Sequence, residues 1–305
     1  MFTEKQLIER IRCRFSELST GIGIGDDAAV VDLPPGSSTV LCSDMLVEGT
    51  HFRRSTHPAD SLGFKAIAIN VSDVGAMGAV PAFVLLSLAV PSDLGTQWTE
   101  DFFDGIAKAC EVFDVHLVGG DSSMAEKIFI DVSLIGHVRP GHAVSRRCAR
   151  PGDGIFVTGS LGGSAQGLTL LEHGTPADDA SVRRHLYPVP RHRVGQELAP
   201  HVTAMIDVSD GFSVDLTHIL EESGVSARIE ALRIPRHPGA DFDLALHGGE
   251  DYELIVTGKG IPDHFEDIPI TAVGRITEST RHHQIYLLTD TGEEILTPRG
   301  WQHFA

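Results

Sequence analysis

Hydrophobic and polar positions along this chain follow two periods, and the switches between them mark the elements. Residues 3–18 carry a helical pattern and predict an amphipathic opening helix. The run GIGIGDDAAVVDLPPGSSTVLCSDM gives two short β-branched stretches separated by Pro34, Pro35 and Gly36, which predicts a hairpin or two adjacent strands. AIAINV alone would pass for a strand. No turn residue separates it from its flanks, however, and the first firm stop is Gly78 before Pro81, so the spacing predicts one helix over about residues 60–77. On that helix Asn70, Asp73 and Met77 share a face. FVLLSLAV reads as a buried strand, TEDFFDGIAKACEVFDV as a helix capped by Thr99, VHLVGGD as a strand running into a turn, and IFIDVSLIGHV as a strand alternating between two faces.

At residues 139–153, RPGHAVSRRCARPGD brings two Pro-Gly turns and four arginines, a composition shift that marks a linker. The expected domains are therefore 1–138 and 139–305. Beyond the linker, IFVTGSLGGSAQGLTLLEHG reads strand, glycine-rich turn, helix, and AMIDVSDGFSVDLTHILEESG repeats that plan with a helix ending at Gly224. ARIEALRI, YELIVTG, ITAVGRI and HQIYLL supply further strands. Helices and strands alternate in both halves, which predicts an α/β or α+β protein.

Composition narrows the function. The 305 residues hold 24 Lys and Arg against 42 Asp and Glu, a formal charge of −18, so the counterion-displacing surface of a nucleic-acid binder is missing. The charged amino terminus does not read as a secretory signal, and the longest apolar stretch, VPAFVLLSLAVP, falls short of the roughly 20 residues that cross a bilayer. The expectation is a cytoplasmic protein with no membrane partner. Four scattered cysteines, with no C-x-x-C, read as free thiols.

Aspartates recur at the ends of apolar runs. Asp26 and Asp27 follow GIG, Asp44 follows VLCS, Asp121 follows LVGG, and Asp207 and Asp210 sit in IDVSDG. Singly, each is a helix cap or turn former. Together, carboxylates converging from neighbouring strand ends would repel one another unless hard cations held them, and Mg²⁺ takes such oxygen ligands along with water and substrate phosphate. GGDSS at 119–123 and GSLGGSAQG at 159–167 are glycine-rich turns whose amides could cradle anions.

The common nucleotide and hydrolase signatures are absent: no Walker A loop, no Rossmann G-x-G-x-x-G, no kinase H-R-D or D-F-G, no H-E-x-x-H and no G-x-S-x-G. A carboxylate pair for glycoside hydrolysis would leave most of the acidic turns unexplained.

In order along the chain, GIGDDAAVV, SDMLVEGTHF, KAIAINVSDVGAMGAVP, LVGGDSS, Arg146 ahead of CARPGD, VTGSLGGSAQGL, IDVSDG, GGEDYEL and the closing GWQHF resemble the thiamine-monophosphate kinase family of the aminoimidazole ribonucleotide synthetase-like superfamily. The resemblance implies a two-domain fold: an N-terminal domain whose mixed sheet pairs into a barrel in a homodimer, and a C-terminal α/β sandwich. It also implies ATP and Mg²⁺-dependent phosphoryl transfer to thiamine monophosphate, with the active site in the cleft between the domains. Carried over by position, Asp27, Ser43, Asp44, Asp73, Asp121, Asp207 and Asp210 correspond to Mg²⁺ ligands. Gly120, Arg146 and Ser209 correspond to ATP contacts, with Phe103 where the family often has an adenine-side tyrosine. His51, Glu250 and Trp301 correspond to contacts with thiamine monophosphate, and Asp26 to an assisting residue.

The acceptor in such a reaction is itself a phosphate, already ionised near neutral pH, so charge neutralisation and alignment matter more than a general base. Two alternatives stay open on the sequence: a sister synthetase that makes an acyl- or imidoyl-phosphate, and a non-catalytic nucleotide or thiamine-phosphate sensor.

Overall fold

The computed structural model describes residues 4–15, 21–279 and 283–301. The chain divides into two compact units, one of Met1–Val74 with Ala79–Gly141, the other of Gly75–Gly78 with His142–Ala305. Both are mixed α and β structures.

The first unit runs α1 (Glu4–Phe15), β1 (Ser38–Val47), α2 (Ala59–Ala76), β2 (Val80–Val90), α3 (Thr96–Phe113), β3 (His116–Met124) and β4 (Phe129–Val138). The four strands form one sheet in the order β1-β4-β2-β3, antiparallel except where β2 runs parallel to β3. Alternation along the strands splits its side chains between two faces. One face carries Leu46, Val84, Leu86, Ile130, Val132 and Leu134, all buried. Helix α2 covers this face: Cys42 Sγ lies 3.5 Å from the Asn70 carbonyl oxygen, and Gly136 leaves the room that the Val74 side chain occupies. Helices α2 and α3 in turn cross at two glycines, because a Cβ at Gly63 or Gly105 would strike the carbonyl of Phe102 or Asp60. The other face presents Leu41, Met45, Leu85 and Phe129, all exposed.

The second unit runs β5 (Gly154–Thr158), α4 (Gly163–Glu172), α5 (Ala180–Leu186), α6 (His192–Leu198), β6 (Val202–Asp207), α7 (Phe212–Ser223), β7 (Val225–Glu230), α8 (Phe242–His247), β8 (Leu254–Gly258), β9 (His264–Phe265), β10 (Ile268–Glu278), β11 (Ile285–Thr289) and β12 (Gly292–Leu296). Its sheet has the order β12-β11-β7-β10-β5-β8-β6, with β9 paired to β10. Strand β8 is buried throughout, with Ile255 in a core shared with Phe212, Leu216 and Ile219 of α7, and Leu254 and Val256 in a second core with Val194 and Leu198 of α6. A strand covered on both faces reads as a continuous apolar run, as LIV does here. Among the described residues no helix is long and apolar enough to cross a membrane.

The long elements follow their hydrophobic periods, and the departures have local causes. Helix α3 begins at Thr96 after Gly95, so Thr99 lies inside the helix and caps nothing. Residues 22–30 make only isolated bridges, such as Ile22 with Val30, because Gly21 and Gly25 at positive φ break the run. GGDSS is no turn: after a register shift at Val118, β3 continues from Gly119 to Met124 in parallel register with β2. The opening helix is described only to Phe15, and residues 3 and 16–18 of the expected span lie outside the described residues.

Candidate active site

In the first unit, Asp26, Asp27, Phe103, Gly120 and Asp121 line one cleft of about 900 Å³. Segment 23–31 and α1 line it together with strands β2, β3 and β4. Asp26 Oδ1 accepts the Asp27 N–H at 2.9 Å, and Asp121 Oδ1 accepts the Ser122 N–H at 2.8 Å, so local backbone bonds orient both carboxylates. Gly120 is required by its position: φ is +154°, and a Cβ would sit 1.8 Å from the Leu86 carbonyl oxygen on β2. Phe103 is almost fully buried on α3 and stacks edge-on against Phe102 with centroids 5.5 Å apart.

Strand periodicity separates the next two candidates. Ser43 points to the open face, where its Oγ lies 3.2 Å from both Asp131 Oδ2 and Ser133 Oγ. The register puts Asp131, Ser87 and Asp121 in one cross-strand row, so Asp121 shares Ser43's face. Asp44 opposes buried Val132 and Leu86 on the face that α2 covers, the side on which Cys42 meets Asn70. Asp73 is one turn beyond Asn70 on α2 and, like Asp44, half-buried. Met77 falls just past the helix end. His51 follows β1 in a tight turn; its Nδ1 accepts the Val47 N–H at 2.9 Å, which leaves the ring proton on Nε2.

In the second unit, β6 delivers Asp207 into the turn Val208–Gly211, and α7 starts immediately after. Asp207 is buried, Asp210 and Ser209 half-buried. One residue missed in the sequence organises the turn: Asp215, in the first turn of α7, takes the backbone N–H groups of Asp210 and Gly211 on one oxygen, each at 3.0 Å. Burial, and then the charges of Asp207 and Asp210, push the Asp215 carboxyl well above its usual range. Among the described residues, Asp210, Asp215 and His218 form a group whose ligand atoms all lie within 4.8 Å of one another. The sequence signal was available, an acid following D-G at first-turn spacing.

Two further segments close on this turn. The Glu250 N–H donates to the Ser209 carbonyl at 2.8 Å, and the Trp301 N–H to the Asp210 carbonyl at 3.3 Å. Gly249 and Gly300 make these approaches possible, since a Cβ on either would strike the same carbonyls. Glu250 and Tyr252 both hold positive φ, +63° and +51°, a conformation that costs on the order of 1–3 kcal/mol and persists only where surroundings enforce it. Asp207, Ser209, Asp210, Glu250 and the Trp301 backbone are thus one constellation. Gln302, His303 and Phe304 of the closing motif lie outside the described residues. Arg146 is not gathered with them: its carbonyl accepts from Ser223 Oγ at 3.0 Å, at the opposite end of α7, roughly 16 Å of helix away from Asp210.

The enforcing surroundings are a buried ion network that sequence reading also missed. Glu253, with no exposed surface, takes Arg191 in a two-point pair at 2.7 and 2.8 Å, Arg184 at 2.7 Å and the Thr158 hydroxyl at 2.7 Å. Burial would raise its pKa, but the bonds and charges of Arg191, with those of Arg184 and Thr158, overcome it and leave the carboxyl lowered. Asp251 accepts the N–H groups of Gly162 and Ser164 at 2.5 and 3.1 Å, at the amino end of α4. At these two amides of the 159–167 turn the anion is therefore the chain's own carboxylate.

The likeness to known proteins runs the length of the chain. Residues 25–138 match the AIR synthase related protein, N-terminal domain, and residues 150–258 its C-terminal domain. The thiamine-monophosphate kinase of Bacillus subtilis (strain 168) is 37% identical over 313 residues, 94% of this chain and 94% of that protein. That of Escherichia coli (strain K12) is 37% identical over 315 residues, 96% and 95% of the two. A solved structure of AaThiL complexed with AMPPCP and TMP is 34% identical with a TM-score of 0.80, covering 99% of this chain and 97% of that one. Both units thus take part in the likeness, and with more than a third of positions identical to curated kinases from end to end, the chain belongs to the thiamine-monophosphate kinase family.

Proposed function

We propose that the chain transfers the γ-phosphoryl group of ATP to the phosphate of thiamine monophosphate, directly and in line, giving thiamine diphosphate and ADP. The single observation that carries the reading is the Asp207–Asp210 turn bound to both Glu250 and Trp301, which joins a carboxylate cluster to an acid and an aromatic suited to a cationic, flat substrate. The relative complexed with AMPPCP and TMP supports the same pair of ligands.

The donor set fits Mg²⁺: all the assigned side chains offer hard oxygens, and Asp210, Asp215 and His218 bring their ligand atoms within 4.8 Å of one another. Ions would be held in the first unit by Asp27, Ser43 and Asp121 on the open face and by Asp44 and Asp73 on the α2 side, and in the second unit by Asp207 and Asp210. When bound, Mg²⁺ supplies charge neutralisation for the phosphates. The chain's own part is positioning. Gly120, packed against β2, contributes to the cleft wall that meets the nucleotide, Phe103 offers a ring near the base, and Ser209 and Arg146 contact the nucleotide, Arg146 from outside the constellation described above. Asp26 assists by orienting the Asp27 backbone. His51 presents a donor at Nε2, while Glu250 and Trp301 engage the thiazolium and pyrimidine rings. No general base is assigned, since the acceptor oxygen is already ionised.

The open, apolar face of the first unit's sheet, with Leu41, Met45 and Phe129 exposed, supports a homodimer formed through that face, and we place the enzyme in the cytoplasm. Incubation of purified protein with thiamine monophosphate, ATP and Mg²⁺ tests the function: thiamine diphosphate and ADP are expected, and their absence from folded protein contradicts it. Turnover of formylglycinamidine ribonucleotide instead would favour the sister synthetase, and Mg²⁺-dependent ATP binding without any product would favour the sensor.

A further inference from the structure

Helix α5 belongs to none of the recognised motifs, yet consecutive residues on it reach the acids of GGEDYEL. Arg184 pairs with Glu253 and lies 3.5 Å from Asp251, and the next residue, His185, has Nδ1 3.3 Å from Glu250 Oε2. The imidazole is buried, its side chain 2% exposed, whereas the Glu250 side chain is 29% exposed and can meet a ligand. Ser164 Oγ stands 2.9 Å from the same Nδ1, and Ser164 is itself fixed through its amide to Asp251. Both contacts fall on one nitrogen, and since a carboxylate only accepts, the ring engages Glu250 in its Nδ1–H form, in which the proton is shared between Glu250 Oε2 and Ser164 Oγ. Two contacts then act on Glu250: its backbone N–H is held by the Ser209 carbonyl, and its carboxylate faces a buried ring that Ser164 also contacts.

We infer that His185 is a positioning residue that fixes the Glu250 carboxylate for the cationic substrate. The inference rests on Glu250 contacting thiamine monophosphate. Its effect belongs to substrate binding, so it moves the KM for that substrate and leaves the chemical step alone.

Steady-state kinetics of His185→Leu, His185→Asn, His185→Gln, Glu250→Ala and the His185→Leu/Glu250→Ala pair test it. Asn places an amide N–H where Nδ1 stands, and Gln places one nearer Nε2. We expect His185→Leu to raise the KM for thiamine monophosphate roughly tenfold, the scale of a hydrogen bond to a charged group, with kcat and the KM for ATP within about twofold of wild type. Asn recovers most of the loss, Gln does not, and Leu adds nothing in the Glu250→Ala background. If Glu250→Ala raises that KM and His185→Leu does not, positioning is overturned while the reading of Glu250 stands. If Glu250→Ala leaves it unchanged, the reading of Glu250 is overturned and the inference with it. Should the Leu variant fail to fold, the Asn and Gln variants decide: Gln alone raising the KM supports the inference, and equal KM values overturn it.

Discussion

Asp215 holds Asp210 by its backbone, accepting the Asp210 N–H at 3.0 Å, while both carboxylates stay within ligand distance of one another. One acid shapes the turn and the other is assigned to the metal. Asp215→Ala leaves the buried Gly211 amide and the partly buried Asp210 amide without their acceptor and should cost about 1–3 kcal/mol of stability together with activity. Equal urea midpoints for this variant and wild type would contradict that role.

Asp210→Asn separates function from fold in the opposite sense. It keeps volume and removes a charge that crowds Asp215. Turnover should be abolished while the melting temperature equals or exceeds that of wild type. Near wild-type kcat would show that Asp210 is no metal ligand.

Asp251 gives the stability a pH signature. Burial pushes its carboxyl up to about 6, against the opposing pull of Arg184 and of the Gly162 and Ser164 amides. The folded chain then keeps a proton that the unfolded chain releases above the ordinary aspartate value of 3.8. This contribution to stability is complete below that value and is lost as pH rises through about 6, by at most about 3 kcal/mol. Denaturation of wild type against Asp251→Asn from acid to neutral pH should show the wild type losing ground over that window. Parallel profiles would rule the assignment out.

The sequence made the long elements and the acidic turns legible because both have local causes. Helix α2 follows from the absence of any stop between Pro58 and Gly78, and the Asp207–Asp210 turn from its aspartates and glycine. Helices α5 and α6 have seven residues each, too few to establish a period, and they are held by Arg184 and Arg191 reaching Glu253 more than sixty positions away. The same long range explains the 159–167 turn: nothing near it in sequence announces that Asp251 will occupy two of its amides. Ser43 and Asp44 look like one motif in sequence, yet a strand turns neighbours to opposite faces.

Glu253 should be among the costliest residues to neutralise. Glu253→Gln leaves Arg184 and Arg191 facing a neutral amide in a buried site, with an expected loss of about 3–5 kcal/mol. Glu230→Gln, which breaks the exposed Arg233 pair, should cost less than about 1 kcal/mol. Chemical denaturation of the two variants side by side checks the contrast; similar small losses would mean that the network does not anchor the loop.

Gly120 and Gly119 offer a matched pair on β3. A methyl at Gly120 meets the Leu86 backbone, whereas one at Gly119 meets only the end of the Leu85 side chain at 3.1 Å. Gly120→Ala should lower stability by about 1–3 kcal/mol and weaken ATP binding, and Gly119→Ala should be mild in both. Calorimetric titration with ATP and Mg²⁺ reads the difference, and equal behaviour of the two would remove Gly120 from the nucleotide contacts.

The most direct measurement of the central claim is phosphorus NMR of wild type and Asp210→Asn with thiamine monophosphate, ATP and Mg²⁺. The account predicts that wild type converts the two substrates into equal amounts of thiamine diphosphate and ADP, without free phosphate, and that Asp210→Asn leaves both spectra of starting material unchanged. Release of inorganic phosphate with no thiamine diphosphate, or undiminished transfer by the variant, would contradict it.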